Sequence, residues 1–457
     1  MEKNNNFSRS YFVGELSYGF WDTFAKIIGV INTFFIISSL TRYEYGSFQL
    51  LLSSYSGLAV LLGVGGGVVA NDIIRYEAEG RNADAKKLFY EIFYVKIAIG
   101  FLLLFATFCF TPFLSAKYGP DYISLIRIIS FLFIHDALLG VMKVVLEMRK
   151  MFNFIASRTS VAKIAQLVIL LYFYFFNHVN LRAVVISLVG SLFVTLALLV
   201  PQFLKAYSPW SIVKKSSNNF LIKIMTSHGK WGIFQQITGK ITPIFEAWSI
   251  KLFINTEAVA IYSVAQTIVG TIAGFLPTKT LAVLVPLEIK NEEKLKKIYT
   301  YGMKYLVAIA TLSGLVAYFT VPILIDFFFK KYIVSMPYFK VLLLTLPMLA
   351  IMSMSSIFFV AFRKQKFAFF QKVLKTVISI PLYLLLLPML GLWGLVVHNF
   401  IITFVMVVSV YVYMKNMTPR LFVNLHDMVV FGKEDMVFLS GFLENTKKVF
   451  LRFKNKF

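Results

Sequence analysis

The chain has 457 residues, of which 58% are hydrophobic and 15% charged, and its formal net charge is +24. This composition excludes a soluble globule of such a size. In a soluble protein the charge would point to nucleic acid; in a membrane protein basic residues flank the spans and face anionic lipid, which is the reading taken here.

Met1–Ser10 is polar, and the apolar run after it is long enough to span a membrane. No cleavable signal is therefore expected, and the first segment should stay in the mature protein. A span needs roughly 20 apolar residues. About twelve such segments follow in order: 14–39, 47–70, 89–112, 122–146, 159–177, 182–204, 231–254, 258–285, 299–325, 333–361, 371–389 and 391–414. Lipid cannot satisfy backbone polar groups and no ten-residue alternation is present, so the spans should be helices rather than barrel strands. The fold class expected is all-α and polytopic.

Basic residues fall on every second connection, as at Lys86-Lys87, Arg149-Lys150, Lys214-Lys215, Lys296-Lys297 and Arg363-Lys364. Assigned to that topology, 34 of the 46 basic residues lie on one side and seven on the other. Lys and Arg near span ends stay cytoplasmic, so both termini are expected inside.

Asp84-Ala-Lys-Lys-Leu88 before a span that ends at Thr111-Pro112 is answered by Glu292–Ile298 before one that ends at Val321-Pro322. Arg149-Lys150 is answered by Arg363-Lys364, and Tyr172 by Tyr383, all at an offset of about 210 residues. An even number of spans per half makes such repeats parallel. The expected organisation is a first lobe of six spans over 1–206, a polar linker over 207–230, a second lobe of six spans over 231–415 and a basic tail over 416–457. Phe442–Phe457 mixes Phe and Leu with Lys and Arg, a pattern open to a surface helix on the inner leaflet or to a loose tail.

Nothing in the chain resembles a catalytic constellation, and no Walker A motif is present. The lone Cys109 sits in an apolar run and is read as packing. Spacings for His/Cys metal ligation are absent, so no metal or cofactor is expected. Gly63–Gly67 lies late in a membrane helix with no strand before it and is read as a frayed or closely packed helix end.

Charges inside the spans are more informative, because each costs roughly 2.5–3.5 kcal/mol at the bilayer centre. Asp22 and Lys26 lie four apart on one face of the first span and can pair. Lys26 should be about 15 Å deep, at 1.5 Å per residue from Leu16. Lys240 and Glu246 lie in the seventh span, the corresponding helix of the second half, with Lys240 at similar depth. Two midplane lysines, one per half, suit a central cationic cavity in which they face each other, with Asp22 and Glu246 holding them. Arg127, Lys96 and Lys279 either extend that surface or reach for the interfaces. His135-Asp136 reads as a helix–helix hydrogen bond or a proton-linked pair.

Ser38–Gly46 (SSLTRYEYG) with the following Phe48–Tyr55 resembles the first loop and second helix of Wzx-type polysaccharide flippases, the O-antigen and exopolysaccharide group. Trp231-Gly-Ile-Phe, Phe245-Glu-Ala-Trp and Ala260–Gln266 (AIYSVAQ) resemble the seventh and eighth helices of that family. The resemblance implies two six-helix lobes around a cavity and no enzymatic activity. It implies an undecaprenyl diphosphate carrying an oligosaccharide, flipped from the inner to the outer leaflet of a bacterial cytoplasmic membrane. It leaves room for H⁺ or Na⁺ as a coupling ion and for glycosyltransferases or a polymerase as partners. The alternative is a cation-coupled multidrug exporter of the same fold, whose cavity should be acidic.

Overall fold

The computed structural model describes residues 2–417 except 64, 65, 150, 215, 218, 227–229, 279, 280, 282–284, 286–291 and 363. The expected tail helix over 442–457 and the candidate Lys279 lie outside the described residues. The described chain is helical in the order α1 (Glu2–Ser39), α2 (Arg42–Ala59), α3 (Gly66–Ala78), α4 (Asn82–Ser130), α5 (Leu132–Met148), α6 (Phe152–Phe176) and α7 (Leu181–Tyr207). The short α8 (Leu221–Ile224) follows, then α9 (Lys230–Phe253), α10 (Thr256–Gly274), α11 (Glu292–Phe328), α12 (Met336–Leu342), α13 (Leu346–Ala361), α14 (Gln365–Leu390) and α15 (Leu392–Met417). We call the end at which α1 begins the near end, and the opposite end the far end.

Among the described residues, eleven segments are long and apolar enough to cross a membrane. α9 is the segment of the expected twelve that misses this measure. Its Gln235, Gln236, Thr238, Lys240 and Thr242 dilute the apolar character, and several of these residues line or border the polar cavity described below. The second span also differs from its expected bounds. It begins at Arg42, where Thr41 and Glu44 form a reciprocal capping box, and it ends in a 3-10 turn over Val60–Gly63 before α3. The expected irregularity near Gly63 is therefore present, and it comes with a close approach: a Cβ on Gly63 would lie 1.9 Å from Gln236 Oε1. The long α4 reverses within itself. Sixteen helical residues would separate Thr111 from Arg127 by about 24 Å, yet Arg127 Nε donates to Thr111 Oγ1 at 3.1 Å. Pro112 and Pro120 lie between these two contact points.

The repeat is visible in the helix starts. Arg42 pairs with Thr256, Asn82 with Glu292, Phe152 with Gln365 and Leu181 with Leu392, each about 210 residues apart. Helices before the linker pack chiefly on one another, α1 on α6 and α6 on α7, and those after it do the same, α9 on α14 and α11 on α13. The two bundles meet where α2 packs on α10 and α9. Glycine makes that seam close: a Cβ on Gly46 would meet the Thr256 carbonyl oxygen at 2.0 Å, and one on Gly57 would meet Ile244 Cδ1 at 2.5 Å.

The linker is docked rather than loose. Trp210 is buried, and its Nε1 donates to Glu77 Oε2 at 2.8 Å. Lys86 donates to the carbonyls of Trp210 and, at 2.7 Å, of Val213. Glu91 accepts from the backbone N–H groups of Phe220 and Leu221 at the start of α8. A carboxylate at the positive end of a helix and an ammonium on backbone carbonyls are both favourable placements. Cys109, expected in packing, instead sits on an exposed face of α4, with Phe108 and Phe110 also exposed on either side.

Candidate functional site

The site is built on α2, α5, α9 and α14. Lys240 projects from α9 toward the other bundle and donates to Ser56 Oγ of α2 at 3.1 Å. Lys372 comes from the second turn of α14, and its Nζ lies 2.9 Å from where a Gly239 Cβ would sit. Both lysines line a cavity of about 380 Å³ with Gln236, Ser56, Tyr55 and Asp136. Among the described residues neither lysine has a carboxylate within ion-pair distance. Asp136, which shares the cavity, accepts from the Tyr55 hydroxyl, and His135 Nδ1 lies 2.8 Å from its other oxygen. The cavity therefore holds two ammonium groups against one carboxylate that already has two partners. Positive charge outnumbers negative there, so an incoming anion is favoured.

A second cavity of about 440 Å³ shares Ser56 and lies deeper in the second bundle. Lys375 lines it, one turn along α14 from Lys372. Glu246 lines it as well, and accepts from Gln266 Nε2 at 2.6 Å and from the Tyr383 hydroxyl at 2.7 Å. The expectation that Glu246 holds Lys240 is thus corrected. Six residues on a helix turn the side chain by roughly 600°, which leaves the two on different faces.

Lys26 does cross between the bundles, but not into the cavity with Lys240. Its Nζ is 2.7 Å from Asp22 and donates to the Gly274 carbonyl of α10 at 2.6 Å, beneath the Phe275 ring. The Asp22–Lys26 pair expected from the four-residue spacing is present, and it leaves Lys26 neutralised. Asp22 lines a separate cavity of the first bundle with Arg158 and Lys143. Lys96 is buried in that bundle with its Nζ against Gly140. Arg127 is held by Thr111 and lies over Phe108, away from the cavity.

The residues missed from sequence are Lys372, Lys375, Arg158 and Lys163. Lys163, Lys372 and Lys375 fall at the start of the expected spans 159–177 and 371–389, and Arg158 just before one, so they count with the neighbouring basic loops. The helices begin earlier, at Phe152 and Gln365, which brings Arg158 into a span and sets the other three deeper. A usable signal was the repeat itself. Asp22, Lys26, Asn32 and Arg158 correspond to Gln236, Lys240, Glu246 and Lys372, each pair separated by the same 214 positions.

A family of polysaccharide biosynthesis proteins matches residues 14–292. A comparison with curated proteins gives no significant match. Among solved structures, the lipid II flippase MurJ in an inward closed conformation is 14% identical, with a TM-score of 0.71, over 90% of this chain and 88% of that one. A multidrug resistance MATE family transporter in an inward-facing conformation is 14% identical, with a TM-score of 0.66, over 86% and 96%. A MOP superfamily transporter from Pyrococcus furiosus is 13% identical, with a TM-score of 0.66, over 89% and 96%. At these identities the likeness is one of fold, and it is the fold of MOP superfamily transporters. The family match covers more than half of the chain, and this protein belongs to the polysaccharide biosynthesis protein family.

Proposed function

We propose that this chain flips an undecaprenyl-diphosphate-linked oligosaccharide from the inner to the outer leaflet of the bacterial cytoplasmic membrane, for O-antigen or exopolysaccharide synthesis. The observation that carries this reading is the pair of lysines, Lys240 and Lys372, lining one cavity at the bundle seam without a carboxylate partner among the described residues. A diphosphate cannot cross hydrocarbon without replacing its water, and charge-assisted donors do that best. The glycan follows the headgroup through the cavity, and the two bundles rock about the seam of α2 with α9 and α10. An inside-negative potential favours outward movement of an anion by about 2.3 kcal/mol per charge per 100 mV. A cation-coupled drug exporter of this fold would need a cavity that attracts cations, which two unneutralised lysines repel.

The placement of both termini and of the Arg149 and Arg363 loops in the cytoplasm belongs to the same proposal, as do bodies bounded at 206 and 231. Labelling of a cysteine at Lys364 by an impermeant thiol reagent in intact cells would overturn the orientation. The transport reading is tested in proteoliposomes with a fluorescent lipid-linked oligosaccharide. Wild-type protein should make the inner-leaflet probe accessible to an external glycosidase. A rate equal to that of empty vesicles rejects the function.

A further inference from the structure

The first bundle holds a cavity of about 430 Å³ between α2 and the two arms of α4, closed on one side by Trp248 of α9. Its volume falls within the roughly 300–1,000 Å³ of ordinary ligand sites. Its walls are mostly Leu, Ile, Ala and Phe side chains, and the serine and threonine hydroxyls on them are already engaged by protein. Ser54 donates to Leu50 O and accepts from Trp248 Nε1. Thr107 donates to Leu103 O, Thr111 to Phe108 O and Ser130 to Arg127 O, each within its own helix. The serine and threonine donors there are already spent and the rest of the wall is almost all apolar, so the chemistry that fits is hydrocarbon.

Two of its lining side chains, Leu58 and Phe110, remain 48% and 67% exposed, so the cavity opens to the surrounding lipid. Tyr55 stands where it meets the polar cavity. Its ring lies 5.1 Å from Phe133 on the apolar side, and its hydroxyl donates to Asp136 on the polar side. Tyr55 thus lines both this cavity and the one that holds Lys240 and Lys372. The apolar space follows the lysines toward the far end, since α2 runs from the far end and Leu51 precedes Ser56 on it. A lipid whose headgroup enters from the near end would have its tail directed that way.

We infer that the apolar cavity beside Tyr55 receives the first isoprenoid units of the transported lipid, next to a diphosphate held at Lys240 and Lys372. The inference rests on the proposed flippase reading and adds a place for the tail. A phospholipid acyl chain would fill the same space, but its phosphodiester brings a single negative charge to two lysines, where a diphosphate brings at least two. The tail of the substrate is covalently joined to its phosphates, so the two cavities would be occupied together.

The test measures binding of inorganic pyrophosphate and of five-, ten- and fifteen-carbon prenyl diphosphates to the purified full chain in one detergent. Wild-type affinity should rise by about tenfold or more across the series, as buried methylenes accumulate. Ala106→Trp fills the cavity and should flatten the series while leaving pyrophosphate affinity unchanged. Ala106→Phe serves as the smaller change if the Trp variant loses pyrophosphate binding through misfolding, and should flatten it partly. Lys240→Ala should weaken every ligand equally. A full chain-length gain in both Ala106 variants overturns the tail site. So does a flat wild-type series with pyrophosphate still bound, which leaves the lysine reading standing. If no ligand binds wild-type protein, the lysine reading fails and the tail site falls with it.

Discussion

Lys26 and Lys240 occupy corresponding positions in the two halves, and both reach across the seam, yet their surroundings are opposite. Lys26 follows Asp22 by one helical turn and is paired with it at 2.7 Å. Lys240 follows Gln236 by the same turn and finds a hydroxyl. Six residues further along each helix the pattern inverts: Asn32 in the first half binds the Lys163 carbonyl, whereas Glu246 in the second binds Gln266 and Tyr383. A duplicated scaffold has kept its cations and moved its carboxylates. A charge on a helix acquires its function from the residue one turn away, so the same lysine can be a strut in one half and an anion site in the other.

The largest effect should come from removing the unneutralised pair. Lys240→Ala with Lys372→Ala should lower glycan export by about a hundredfold or more, since hydrogen bonds to charged groups contribute about 1.5–3 kcal/mol each. Protein abundance, measured in parallel, should hold. Lys26→Ala should instead lower abundance or thermal stability more than export, and the reverse result would dissolve the distinction between the halves. Conversion of one pattern into the other comes next. Gln236→Asp places a carboxylate one turn before Lys240 and should weaken pyrophosphate binding by about tenfold, an effect lessened by high salt. Unchanged affinity would mean that Lys240 does not contact the anion.

Much of this was legible in the residues. Span count, helical class, the repeat and the Asp22–Lys26 pair follow from hydropathy, charge placement and four-residue spacing, which are local properties. The composition of the cavity was not. Lys372 reads as part of the Arg363–Lys366 cluster because nothing local marks where α14 begins; Lys364 provides no side-chain cap there. Glu246 and Lys240 share a helix, but only their angular separation shows that they do not meet. Polar α9 illustrates the general difficulty. A helix that lines a polar cavity within a membrane loses part of the apolar pattern by which spans are recognised, so the helix that carries Lys240 is the weakest of the twelve expected spans.

Two smaller effects sharpen the comparison at its edges. At the far end, Lys331 Nζ donates to the carbonyls of Ser38 and Leu40 at 2.8 and 2.5 Å, and Arg42 Nε donates to the Lys331 carbonyl at 2.7 Å. Phe34 stacks on Phe329 beside them. With Cys109→Ser and a cysteine at Gln49, Lys331→Ala should raise labelling from the far end by about fivefold; unaltered labelling would show that these contacts do not hold that end shut. The smallest change expected is for Gly239→Ala. The new methyl group meets the flexible end of Lys372, which can shift. Pyrophosphate affinity should fall by only about twofold, the cost of a few tenths of a kcal/mol, and a tenfold loss would mean that Lys372 has one permitted position.

The acceptors of Lys331 are main-chain carbonyls at the end of α1 rather than side chains. Every residue type supplies the same oxygen, so the exposed Ser38 can be exchanged for almost anything without loosening the latch, and what constrains Leu40 is the burial of its side chain. Substitution tolerance in this loop would therefore say little about its importance. Only one partner of the contact is written in side chains, and a search for paired changes between the two bundles would pass over the closure that joins them.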